Sequence, residues 1–154
     1  MANSDEHNPY GHSNEDMENR LAQMDKRARK EKALAVAMPQ PKLIGPAKAD
    51  VTIVSWGSSL GATKEAARIL KENHKVKVNI LPITYINPFP VAVVTKLLKT
   101  AKTTIMVEAN QSAQMAGWIR QQTGLSVDQT ILRYDGRPFE PVELSAAILE
   151  RMQS

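Results

Sequence analysis

From Asp50 to the end of the chain, short apolar runs rich in β-branched residues alternate with segments whose apolar residues return every third or fourth position. The runs VTIVSW (51–56), VKVNILPI (76–83) and TTIMVEA (103–109) have the length and composition of buried strands, and SVDQTILRYDGRPF supplies a shorter strand followed by a turn. Between them, ATKEAARILKEN (62–73) puts Ala66, Ile69 and Leu70 on one helical face. VAVVTKLLKTA (91–101) carries the same spacing behind the turn NPFP, with Pro90 at the helix start. QSAQMAGWIRQQTG is a helix ended by Gly124, and PVELSAAILERM opens with Pro141 in its first turn. Parallel strands need crossovers, and a strand that is apolar throughout must be covered on both faces. The expected fold is therefore α/β: three layers, with a mainly parallel sheet between helices on both faces.

The first 50 residues read differently. Residues 1–12 are polar, carry Pro9 and Gly11, and form a loop. Ser13 with Asp16 three residues later has the pattern of a helix cap, and a helical arm follows over 14–38. Met17, Leu21, Met24 and Ala28 make a narrow apolar stripe on an otherwise charged rod, which calls for a partner surface. Pro39, Pro41 and Pro46 around Gly45 end the arm in a linker. The chain divides accordingly into residues 1–47, comprising loop, arm and linker, and residues 48–154, the α/β domain.

With no cysteine, the chain has no disulfide, no thiolate for zinc or an iron–sulfur cluster, and no thiol nucleophile. Acidic and basic residues balance at eight each through Asp50, whereas twelve bases face eight acids beyond it. Those bases are scattered singly, and aromatic residues make up only 5%, so stacking platforms are absent and nucleic acid is not an expected partner. No apolar stretch approaches the roughly 20 residues of a membrane span, and the polar, acidic N-terminus is unlike a signal peptide. A cytoplasmic protein without a membrane partner is expected.

The glycine loop SWGSSLG narrows the chemistry. Gly57 and Gly61 are one residue too close for a Walker A loop, and Lys64 stands too far on. Ser58 and Ser59 occupy positions where a dinucleotide fingerprint needs glycine. What remains is a tight strand-to-helix turn, or backbone N–H groups and the hydroxyls of Ser58 and Ser59 holding an anion or a partner's carboxylate. His7 and His12 near Asp5 and Glu6 match no metal-ligand template and read as a solvated loop; His74 suits a helix C-terminus. Glu108 stands at the end of the third strand and Asn110 follows it, where open α/β sheets place ligands. Asp135 and Gly136 form a turn that holds the fork of Arg137, which is expected to clamp a carboxylate, either Glu108 or an acid on a neighbouring domain. Gly57, Ser58, Ser59, Gly61, Glu108, Asn110, Asp135, Gly136 and Arg137 are thus expected on one interface or anion-binding edge. No nucleophile, base and orienting group combine among them, so the chain has no expected catalytic, cofactor-binding or metal residue.

DEHNPYGHSNEDMENR, KRARK, SWGSSLGATKEA, NPFP, VEANQSAQ and YDGRPFEP, in that order, resemble the C-terminal part of the alpha subunit of the 2-oxoacid:ferredoxin oxidoreductases. The resemblance covers nearly the whole chain. It implies a transketolase C-terminal-like domain from about residue 48, with the arm leading in from a preceding pyrimidine-binding domain. For the whole complex it implies oxidative decarboxylation of a 2-oxoacid on thiamine diphosphate with Mg, coenzyme A as acyl acceptor, and iron–sulfur clusters passing electrons to ferredoxin. The cofactor-binding and catalytic residues implied by the family lie in the pyrimidine-binding domain and the beta subunit. The chain is accordingly expected to be inactive alone, to bind no cofactor alone, and to serve assembly with the beta subunit and the remaining alpha-subunit domain. Family alpha subunits are longer, and the abrupt start MANSDEH suggests truncation over a split gene. Self-association through the arm into a homodimer is a further expectation. The alternative is a freestanding α/β module that binds a small anion at residues 57–61.

Overall fold

A computed structural model describes residues 5–153, which form two compact units divided after Pro39. In the first unit, the loop folds back on itself: Asn8 Oδ1 accepts from the backbone N–H groups of Tyr10 and His12, and His7 pairs with Ser13 in an antiparallel bridge. Ser13 is therefore not the helix cap. Helix α1, Met17–Ala37, starts from Asp16, which makes no side-chain cap bond. Its entry is set instead by Asn14 Oδ1, which accepts from Asp16 N–H at 2.7 Å. Glu6 receives the guanidinium groups of both Arg20 and Arg27. The hydrogen bonds from Arg27, with the charges of both arginines, hold the Glu6 carboxyl below the usual glutamate range. No residue of α1 is buried; Met17 and Leu21 are 83% and 66% exposed, so the stripe read from the sequence lies open along this rod.

The second unit is built on four parallel strands in the order β2-β1-β3-β4: β1 Val51–Trp56, β2 Val78–Ile83, β3 Thr104–Glu108 and β4 Gln129–Leu132. Valine, isoleucine and threonine dominate the first three, and their branched side chains suit a pleated surface packed from both sides. The period of two sorts them. Val51, Ile53, Ile80, Ile105 and Val107 point to one face, against Ala66 and Leu70 of α2 (Ser59–His74) and Leu144 and Ile148 of α5 (Pro141–Gln153). Val54, Leu81, Ile83 and Met106 point to the other, against Val94 and Leu98 of α3 (Val91–Thr100) and Met115 and Ile119 of α4 (Gln114–Thr123). This is the three-layer arrangement expected from the alternation.

Three local features depart from the sequence reading or refine it. Helix α2 begins at Ser59, so Ser59 and Gly61 belong to its first turn and not to the loop. Helix α2 ends on Lys75 in the left-handed conformation, a place that glycine usually takes, whereas α4 ends on Gly124 as expected. The segment read as linker packs on the sheet: Ile44 exchanges backbone hydrogen bonds with Ile80, both 2.9 Å, covering the outer side of β2. Gly45 makes this possible, since at φ +110° an added Cβ would lie 2.8 Å from the Val78 carbonyl oxygen. Pro82 lies two residues beyond Ile80 on the same outward side and has no N–H to offer, so it further closes this edge to another strand.

Candidate functional site

The strand order makes β1 and β3 the switch point of the sheet: the chain leaves β1 toward the face of α2 and leaves β3 toward the face of α4. Loops that diverge in this way open a crevice at the carboxyl ends of the strands, the usual ligand or contact edge of an open α/β sheet. Gly57 turns the chain at φ +58°, and Ser58, in helical conformation, caps α2 without a side-chain hydrogen bond. Gly57, Ser58 and Gly61 are exposed, whereas Ser59 is buried.

Ser59 holds the turn from inside. Its hydroxyl donates to the Trp56 carbonyl at 2.7 Å and meets Ser55 Oγ at 2.9 Å, and Thr63 Oγ1 donates to the Ser59 carbonyl at 2.9 Å. These small hydroxyls tie the end of β1 to the first turn of α2 and satisfy one another in the core.

Glu108 does the equivalent for α4 by a different route. Its side chain is fully buried and accepts four N–H donors: Trp56 Nε1 at 3.2 Å, Asn110 Nδ2 at 2.7 Å, Met115 N at 2.8 Å and Ala116 N at 2.9 Å. Asn110 Oδ1 takes the next donor, Gln114 N, at 3.1 Å. The first turn of α4 leaves N–H groups without helical partners and carries the positive end of the helix dipole. A carboxylate from β3 fills that place. Ala113, before the helix, is held at φ +52°, a conformation costly for alanine, so the surrounding bonds fix this turn firmly. Glu108 thus positions β1, β3 and α4 relative to one another, and its carboxyl is not presented at the surface.

The turn after β4 is closed by its own residues. Asp135 and Gly136 are exposed, and Arg137 gives its fork to Asp135 Oδ2, with Nε at 3.0 Å and Nη2 at 2.6 Å. Arg137 does not clamp Glu108. Arg137's hydrogen bonds, from its side chain and then its backbone N–H, keep the Asp135 carboxyl below the usual aspartate range. Arg133, which carries no signal in the sequence, braces the same turn: it donates to the Pro138 carbonyl at 2.7 Å, pairs with Glu143, and lies 5.4 Å from the centre of the Phe139 ring.

Two depressions flank Gly57 along this edge. One of about 340 Å³ lies between Ser58, Ser59, Gly61, Ala109 and the 138–141 segment; the other, of about 400 Å³, lies between Trp56, Leu60 and residues 82–86. The first therefore joins the α2 turn to the end of β3 and the start of α5. Its lining holds hydroxyls, proline and Glu140 but no lysine or arginine. Among the described residues, no three histidine, aspartate or glutamate side chains stand together to hold a metal ion.

Residues 49–144 match the model of the family Pyruvate:ferredoxin oxidoreductase core domain II. The alpha subunit of 2-oxoacid:ferredoxin oxidoreductase 1 from Sulfurisphaera tokodaii is 34% identical over 149 residues, which are 95% of this chain and 23% of the relative. The chain thus spans about a quarter of the length of the curated relatives it matches. Among solved structures, 2-oxoglutarate:ferredoxin oxidoreductase from Magnetococcus marinus, with 2-oxoglutarate, coenzyme A and succinyl-CoA bound, is similar at a TM-score of 0.79 and 27% identity, over 99% of this chain and 27% of that one. The alpha chain of the probable 2-oxoacid ferredoxin oxidoreductase from Thermoplasma acidophilum is 34% identical, over 75% of this chain and 98% of that one, at a TM-score of 0.54. These matches show that the chain belongs to the pyruvate:ferredoxin oxidoreductase core domain II family, carried by alpha chains of the 2-oxoacid:ferredoxin oxidoreductases.

Proposed function

We propose that this chain is an assembly domain of a cytoplasmic 2-oxoacid:ferredoxin oxidoreductase and that the carboxyl-end edge of its sheet docks on the rest of the enzyme. The observation that carries this reading is the fate of Glu108. The one fully buried carboxyl at the switch point is used to cap α4, and what the edge presents outward is Gly57, Ser58, Gly61 and the Asp135–Arg137 turn. Such a surface offers shape, hydroxyls and a rim ion pair, which suit docking more than acid–base work. The chemistry of the whole enzyme, oxidative decarboxylation of a 2-oxoacid with coenzyme A and ferredoxin, then belongs to its other parts, the beta subunit and the remaining alpha-subunit domain. Iron–sulfur clusters fit no residue here, because the chain contains no cysteine. A diphosphate fits poorly at the Ser58 cavity as well, since no lysine or arginine lines it.

The alternative of a small anion held at residues 57–61 rests on the N-terminus of α2 and two serines. The cavity there lacks a cation, and Glu140 on its lining disfavours a second negative charge. Calorimetry separates the readings. The chain alone titrated with coenzyme A, thiamine diphosphate and nucleotides should give no tight binding, while Ser58→Trp and Arg137→Glu should weaken its association with the beta subunit and the remaining alpha-subunit domain by about tenfold or more. Tight binding of any of these ligands by the chain alone, lost in Ser58→Trp, would overturn the assembly reading.

The arm adds a second contact. Its exposed stripe of Met17, Leu21 and Met24 is an apolar surface in want of a cover, and a second copy of the arm is the partner it suits. Sedimentation should show a dimer that Leu21→Glu dissociates; a monomer before and after the change would remove the arm from the account. No helix among the described residues is long and apolar enough to cross a membrane.

A further inference from the structure

Away from the switch point, a groove of about 760 Å³ lies between α2 and the segment laid along β2. Its floor is apolar, formed by Ile44, Ala67 and Val76 over the buried Val78 and Ile80. Its rim is basic. Lys64 and Lys71 stand on the same side of α2, seven residues and so about 10 Å apart along the axis, and Lys77 closes one end. Arg68 lies between them, but its guanidinium is held by Glu65 and Glu72 on the helix surface. No acidic side chain lines the groove, and none of the three lysines makes an ion pair with another described residue.

These features select the occupant. An apolar floor without aromatic rings offers nothing on which bases could stack, and a phosphate backbone would leave that floor unused, so nucleic acid suits the groove poorly. A small inorganic anion would leave the floor wet. A partner strand cannot add to the edge here, since the outward N–H and C=O of Ile80 are taken by Ile44 and Pro82 has no N–H. What fits is a helix laid in the groove, with apolar residues at spacings of three and four facing the floor and acids on its flanks facing the lysines. We propose that this groove receives an acidic amphipathic helix from another polypeptide chain. Charge complementarity would orient it, and burial of the floor would supply most of the affinity.

A fluorescein-labelled synthetic peptide of about 14 residues, with leucine at helical spacing and glutamate on both flanks, tests this by anisotropy against the full chain. Saturable binding is expected, weakened by about tenfold or more when Lys64, Lys71 and Lys77 are all changed to glutamate. Reversing Lys26, Lys30 and Lys32 on the arm should leave the affinity unaltered. Unchanged thermal unfolding of both triple variants establishes that their fold is kept. The proposal is overturned if the peptide does not bind, if its lysine-for-glutamate counterpart or a scrambled acidic peptide binds as well, or if the groove reversal has no more effect than the arm reversal. The measurement uses the chain and a synthetic peptide only, so either outcome leaves docking at the carboxyl-end edge to be judged separately.

Discussion

Replacing Glu108 should be among the most damaging single changes in the α/β unit, for reasons of hydrogen bonding and not of packing volume. Glu108→Ala removes the acceptor for four N–H groups, two of which, on Met115 and Ala116, are backbone donors at the start of α4 and have no helical carbonyl to turn to. Each buried donor left unsatisfied costs about 1–3 kcal/mol. Water entering the opened space recovers part of the loss, so a net destabilisation of about 3–5 kcal/mol is expected, below the simple sum over four donors. Glu108→Gln keeps the shape and one acceptor oxygen but turns an N–H donor toward another, and should cost about 1.5–3 kcal/mol. Urea unfolding followed by tryptophan fluorescence reads this directly, since Trp56 donates to Glu108 and the only other tryptophan, Trp118, is on α4 itself. In a chain of this size, 3 kcal/mol corresponds to a fall in Tm of roughly 6–12 °C. The reasoning is refuted if Glu108→Gln costs less than about 0.5 kcal/mol, the range of an ordinary surface change, or if it costs more than Glu108→Ala.

Gly45→Ala should destabilise the unit by about 2–3 kcal/mol, because φ +110° is strained for alanine and the new Cβ meets the Val78 backbone; Gly61→Ala, where an added Cβ meets nothing, should stabilise α2 by about 0.5–1 kcal/mol. Thermal unfolding of the two variants in parallel checks both signs. The Asp135 carboxyl, held below the usual aspartate range mainly by the Arg137 side chain, should titrate in carbon-detected NMR below an unstructured aspartate. Because the folded value is depressed, the contribution of this pair to stability is fully present above the ordinary aspartate range and is lost as pH falls through the lowered value. Arg137→Ala should return the midpoint to the ordinary range, and an Asp135 midpoint already at or above that range in the unaltered chain would refute the pairing.

The layers were legible because strands buried on both faces are mainly apolar, and VTIVSW, VNILPI and TIMVE leave little choice. The helices opposite them show the complementary period. Helix α2 starts three residues before the sequence pattern suggests, since two glycines and two serines look like a loop although Ser59 turns inward and bonds the Trp56 carbonyl. Ile44 was hidden for a similar reason: three prolines and a glycine announce a linker, and nothing local says that Gly45 lets the chain approach β2. At the site, the turn at Asp135 and Gly136 was legible, but the partner of Arg137 was not: the expected acid was Glu108 or one on a neighbouring domain, and the fork closes on Asp135 two residues back. The non-local contacts were not legible either. Glu108 owes its role to Trp56 on another strand and to N–H groups seven and eight residues ahead, and Arg133 to a carbonyl and a carboxylate five and ten residues on. Side-chain type marks such residues as polar, while only the fold decides whether they serve packing, positioning or the surface.

Amide hydrogen exchange on this chain, alone and mixed with its proposed partners, the beta subunit and the remaining alpha segment, tests the proposed assembly through the carboxyl-end edge most directly. Slowed exchange is expected on assembly at residues 57–61, 109–113 and 134–138, with the opposite end of the sheet, at 101–103 and 125–128, little changed. A complex that forms while the first three segments exchange as fast as before would contradict it.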